Sequence, residues 1–166
     1  MSLARAAVNG AAGGLAGGAA MALTARLEQL ATKRPSSFVP AHTLAHLLHL
    51  RRPDDDRVAR NLAMHFGTGA SVGALRGVMA AAGLRGPWAA TLYTPIRLSV
   101  DQTLENLTGV GAPPWTWPRD ELVIDVAHKT VFALVTGAVA DALTPPAPTS
   151  AVRRRRALGA RLRGFA

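Results

Sequence analysis

The stretch HFGTGASVGALRG, residues 65–77, admits two incompatible readings. Gly67, Gly69 and Gly73 make a loose G-x-G-x-x-x-G of the kind that cradles phosphate in a dinucleotide site. The same letters set Gly69, Gly73 and Gly77 four residues apart behind His65, which is one face of a packed helix. A dinucleotide fingerprint needs a strand directly before its glycines, so that the turn swings phosphate onto a helix N-terminus. Here the preceding residues, DDDRVARNLAMH (54–65), are charged, helical in pattern and free of any β-branched run. The glycines therefore read as a packing face inside a helix.

The composition points the same way. Of the 166 residues, 49% are hydrophobic but only 5% aromatic, so the apolar mass is mostly alanine, leucine and valine, with 16 glycines. Small side chains bury little area each and make a thin water-driven core. Close backbone packing in lipid is where glycine and alanine serve best. The mean hydropathy of +0.16 is low for a multi-pass membrane protein and keeps a soluble helical alternative open. The absence of cysteine excludes disulfides and thiolate metal sites. The formal charge of +9 is concentrated at segment ends, above all in RRRRALGARLR (153–163).

Four helical segments follow from the pattern. The first runs from about Ala6 to Ala31, and Ala6 to Thr24 carries no charge, close to the ~20 residues that cross a bilayer. Gly10, Gly14 and Gly18 repeat along it, with Gly13 and Gly17 beside them. In water each glycine costs such a helix roughly 0.5–1 kcal/mol relative to alanine. KRPSSFVP (33–40) ends it, and PAHTLAHLLHL (40–50) reads as a short amphipathic helix on an interface. There His42, His46 and His49 oppose Leu44, Leu47 and Leu48. Asp54, Asp55 and Asp56 cap the second long helix, expected from about Asp55 to Leu84. The third, WAATLYTPIRLSVDQTLENL (88–107), carries a polar stripe of Tyr93, Arg97, Asp101 and Glu105 and cannot face lipid all round. A turn-rich loop with Trp115 and Trp117 leads to the fourth helix, Glu121 to Leu143.

The expected architecture is all-α: a membrane helical bundle of about four helices, three or four of them spanning, plus the interfacial helix. Residues 1–144 form the helical membrane domain, and 145–166 form a proline-rich linker and an arginine-rich cytoplasmic tail. Gly10, Gly14, Gly18, Gly69, Gly73 and Gly77 are the expected packing positions. Glu28, His65, Arg76, Arg97, Asp101, Asp125 and His128 are the candidate polar centre, because charges at bilayer depth must turn inward. Arg76 is read either as snorkelling near its helix end or as a partner of Asp101, Glu105 or Asp125. His65 and His128 are expected on inward faces, with an acid–base pair joining two helices. No spacing such as H-E-x-x-H marks a metal, and His42 and His49 would be about 10 Å apart on one helix, so neither metal nor cofactor is expected. Arg153, Arg154, Arg155, Arg156, Arg161 and Arg163, interleaved with Leu158, Leu162 and Phe165, suit anionic lipid headgroups. No aromatic stacking surface accompanies them, so nucleic acid is not an expected partner.

Within residues 61–143, the histidine and glycine of helix two and the run LTGVGAPPWTWPRDELVIDVAHKTVF (107–132) resemble the uncharacterised YagU-type family of small bacterial inner-membrane proteins. His65, Gly73, Pro113, Pro114, Trp117, Glu121 and His128 carry the resemblance, which covers about half the chain. The histidines of the short helix and the arginine tail depart from it. The resemblance implies a multi-pass helical protein of the bacterial cytoplasmic membrane and adds no mechanism. The sequence discloses no specific activity. Passage of protons or a small solute through the polar centre is the expected role. The alternatives are a membrane-integral enzyme using His65, Asp125 and His128, and a soluble helical binding protein with a basic tail. Lipids are the expected partners, with self-association compatible with the glycine faces. A cytoplasmic C-terminus after four spans would leave Lys33, Arg34, Arg51, Arg52, Arg57 and Arg60 outside, against the positive-inside rule, whereas three spans remove the conflict.

Overall fold

The computed structural model describes residues 1–50 and 57–145. The Asp54–Asp56 cap and the tail arginines lie outside the described residues. Within them the chain is helical throughout: α1 (Leu3–Thr32), α2 (Val39–Leu47), α3 (Arg57–Ala81), α4 (Pro87–Leu107) and α5 (Arg119–Leu143), with one 3-10 turn at Pro114–Thr116. The helix boundaries have local causes. Ser2 caps α1 by accepting from the Arg5 amide at 3.3 Å, and Lys33 ends the helix in the left-handed region at φ 63°. Gly83 and Gly86, both at positive φ, turn the chain from α3 into α4, whose first residue is Pro87. Asp120 and Glu121 sit in the first turn of α5, where the helix dipole favours acids.

Helix α1 is the centre of the bundle and uses two glycine faces. Gly10, Gly14 and Gly18 press on α3. A β-carbon at Gly73 would lie 2.6 Å from the Gly14 Cα, and one at Gly77 would overlap the Ala6 carbonyl oxygen. Gly13 and Gly17 press on α5. A β-carbon at Gly13 would come within 2.8 Å of the Thr136 carbonyl oxygen, and one at Gly17 within 2.7 Å of the Phe132 carbonyl oxygen. Such approaches are open only to backbones without side chains between them. Both neighbours run antiparallel to α1, since residues 10, 14 and 18 meet 73, 69 and 66 while 13 and 17 meet 140 and 132. Helix α4 then packs antiparallel on α5 through the Tyr93–Phe132 ring pair, centroids 6.2 Å apart. Val72, Tyr93, Phe132 and Ala133 form the buried apolar cluster.

The short helix packs through its small residues. α2 buries Ala41, Thr43 and Ala45 against α3 and donates its Ala41 amide to Asn61 Oδ1 at 3.3 Å. Its leucines are not the packed face, since Leu47 and Leu48 are exposed along with His46 and His49. Small residues win the contact because they let the two backbones approach. His49 lies beyond the helix end in the left-handed region, at φ 50°.

Two helices, α1 and α5, are long and apolar enough to cross a membrane. The outer surface has a simpler regularity. From Val58 to Pro118 no charged side chain is exposed, and the exposed positions of α1 between Ala6 and Thr24 are Val8, Ala12, Leu15, Ala19 and Leu23. Meanwhile Arg76, Arg97 and Lys129 are buried. This is the reverse of the usual arrangement in water, where fully buried lysine and arginine are rare.

Candidate functional site

Antiparallel packing gathers one end of the bundle: the last turns of α1 and α4 and the first turns of α3 and α5. A cavity of about 500 Å³ opens between them. His65 and Met64 of α3, Arg97, Asp101 and Glu105 of α4, and Asp125, His128 and Lys129 of α5 line it, with Met21 of α1 and Trp117 of the last loop. Helices α3 and α5 run parallel to each other, and His65 and His128 lie at similar offsets from their starts. Both imidazoles are half-buried and both reach the cavity.

Lys129 is the hub of the charged groups. Its ammonium contacts the Asp125 carboxylate one turn before it and lies 3.6 Å from Asp101 Oδ2 across the α4–α5 contact. Asp101 Oδ1 in turn meets Arg97 Nη2 at 3.2 Å. The Arg97 guanidinium lies 4.7 Å above the Phe132 ring centre, leaving Nε and Nη1 buried without a hydrogen-bond partner, as is Asp125 Oδ2. Buried polar atoms in this state cost free energy until something meets them. Glu105 accepts from Gln102 Nε2 at 3.1 Å, a neutral donor. His65 Nε2 lies 2.8 Å from the Gly18 carbonyl oxygen. Because a carbonyl only accepts, Nε2 carries the proton, and α3 is tied to α1 at the inner end of the cavity.

One member of the candidate centre sits at the cavity rim and one lies elsewhere. Glu28 is held by Arg34, Oε2 to Nη2 at 2.9 Å, with Thr32 Oγ1 donating to Oε1 at 2.7 Å. It thus belongs to the α1 terminus rather than to the Asp101–Lys129–Asp125 group. Arg76 sits at the opposite end of the bundle and is fully buried, so it does not snorkel. Its partner is none of Asp101, Glu105 and Asp125 but Asp141, at 3.0 Å, with a second bond to the Leu84 carbonyl oxygen at 3.2 Å. The cause is register: Arg76 lies about three turns beyond His65 along α3, and those three acids stand at the His65 end. Asp141 also accepts the Gly86 amide at 2.8 Å, and Arg85 donates to the Asp141 and Thr144 carbonyl oxygens. This second cluster clasps the α3–α4 turn to the end of α5.

Sequence reasoning did not single out Asp141, nor Lys129 as a bridge between two helices. Arg76 and Asp141 lie at similar offsets along two parallel helices of equal length, which places them at one depth. Among the described residues, no three His, Asp or Glu side chains gather as metal ligands. The chain matches no family model, no curated protein and no solved structure.

Proposed function

We propose that the protein is a four-span protein of the bacterial cytoplasmic membrane whose cavity admits protons or a small polar solute from one face. The observation that carries this reading is the inward turn of charge. Residues 58–118 expose no charged side chain, while three basic side chains are buried. In lipid such an arrangement is required, because charge facing hydrocarbon is expensive. In water it would leave a broad apolar surface without purpose.

Geometry supports four spans rather than three. Helix α4, the weakest by hydropathy, has 21 residues, roughly 30 Å of rise and about one hydrocarbon thickness. Its exposed positions are uncharged, and its polar stripe turns into the cavity and the α5 contact. Trp88 at its start and Trp115 beyond its end are both exposed, in the manner of rings anchored at two interfaces. With the arginine tail cytoplasmic, the cavity opens to the opposite face. The basic residues around its mouth then face outward, a cost to the positive-inside preference that the inward-turned stripe of α4 outweighs.

Extraction of membranes with alkaline carbonate tests the first step, with retention in the membrane expected. Release into the supernatant would leave the soluble binding protein as the reading. Reporter fusions at residue 50 and at the C-terminus test the second: opposite sides are expected, and the same side would mean three spans.

A further inference from the structure

The acids of the cavity are unevenly partnered. Arg97 and Lys129 face Asp101, Asp125 and Glu105. At the rim, Arg34 is matched by Glu28, while Arg26 and Glu121 are exposed to solvent. His65 donates to the Gly18 carbonyl oxygen. One acid is therefore left without a basic partner. It is Glu105, because Asp101 and Asp125 both meet basic partners whereas Glu105 accepts from the neutral Gln102.

The walls around Glu105 narrow the identity of the missing positive charge. The Val110 and Gly111 amides both donate to the Glu105 carbonyl oxygen at 3.0 Å, and a β-carbon at Gly111 would lie 2.7 Å from Glu105 Cβ. The α4–α5 loop is thus pressed onto Glu105. The same loop fixes the Trp117 indole through its Nε1–H, which donates to the Ala112 carbonyl oxygen at 2.7 Å. Trp117, Met21 and Met64 line the cavity that Glu105 also lines. A metal cation wants several converging oxygens, and no such set of acids exists among the described residues. An aromatic ring, apolar walls and one acid without a basic partner are the elements that recognise an organic cation.

We propose that the cavity binds a small organic monocation, its charge met by Glu105 and its apolar part by Trp117, Met21 and Met64. The competing occupant is an anion on the unpartnered Arg97 nitrogens, and the neighbouring acids argue against it, since Asp101 sits on Arg97 and Asp125 turns an unpartnered Oδ2 into the same group. The proposal rests on the reading of the cavity as a solute site. It does not depend on how many helices cross the membrane.

The test is equilibrium binding of benzyltrimethylammonium to the purified full chain in neutral detergent, with benzoate as the anionic counterpart. Saturable binding of the cation is expected, weakened about tenfold or more in Glu105→Gln and in Trp117→Leu, with no competition by benzoate. Glu105→Gln is nearly isosteric and keeps a side-chain partner for Gln102, and circular dichroism checks that each variant is folded. Unchanged affinity in folded Glu105→Gln, tighter binding of benzoate than of the cation, or no saturable binding to folded wild type would each overturn the proposal. Any of these results leaves the carbonate and fusion experiments to judge membrane insertion independently.

Discussion

Gly14 lies so close to Gly69 that a β-carbon on Gly14 would overlap the Gly69 carbonyl oxygen, whereas a β-carbon on Gly67 would meet nothing within 4 Å. Two glycines on one helix, two residues apart, thus serve opposite ends. Gly69 allows contact, and Gly67 only weakens the helix. Gly14→Ala and Gly73→Ala should each lower the folded yield in detergent, because the obstructing atoms are backbone and cannot rotate away. Gly67→Ala should be tolerated or gain up to about 1 kcal/mol from helix propensity. Thermal unfolding of the three variants checks this, and equal tolerance at all three positions would remove α1–α3 packing as the basis of the fold.

The Arg76–Asp141 pair gives a second prediction. Asp141→Asn leaves a fully buried guanidinium without its counter-charge. Breaking a buried pair from one side costs about 3–5 kcal/mol, and replacing both members by apolar residues is often neutral. The double variant Arg76→Met, Asp141→Leu should therefore be more stable than Asp141→Asn alone. Gly137 supplies an independent arm, since a β-carbon there would lie 3.3 Å from Arg76 Nη2 and from Ala90 Cβ. Gly137→Val should disturb the same clasp. Additive losses in a double-mutant cycle of Arg76 and Asp141 would contradict the pairing.

The glycine faces and the inward charges were legible in the sequence for one physical reason. Both are statements about single helices, and a 3.6-residue period fixes which residues share a face. Partner choice between helices was not legible to the same degree. Arg76 finds Asp141 because α3 and α5 run parallel at matched depth, a fact of bundle topology. The same topology makes Lys129 bridge α4 and α5, although only its contact with Asp125 could be read from spacing. The contact of α2 with α3 was likewise not legible, because its packed face is built from alanine and threonine.

His65 joins α3 to α1 through the Gly18 carbonyl oxygen at 2.8 Å. His65→Leu removes the donor and should cost about 1 kcal/mol, the net value of an ordinary hydrogen bond. His65→Gln offers an amide N–H of similar reach and should recover part of that loss. Identical unfolding temperatures for the two variants would mean that the bond contributes nothing.

Lys129 carries the last prediction. Its ammonium faces Asp101 on α4 and Asp125 on its own helix, and it is buried. Lys129→Met leaves Asp101 with Arg97 but leaves Asp125 in the cavity wall with no basic partner among its contacts. One more acid then lacks a basic partner, at a cost of several kcal/mol by the reasoning for half-broken buried pairs. Adding Asp125→Asn to Lys129→Met restores the original balance and should recover most of the lost stability. Lys129→Arg keeps the charge but brings a larger planar group to a site shaped for a compact ammonium, so its loss should be intermediate. Thermal unfolding in detergent ranks the three. If Lys129→Met matches wild type, the Asp101–Lys129–Asp125 group is not what joins α4 to α5, and the contacts of Phe132 with Tyr93 and Arg97 carry that junction.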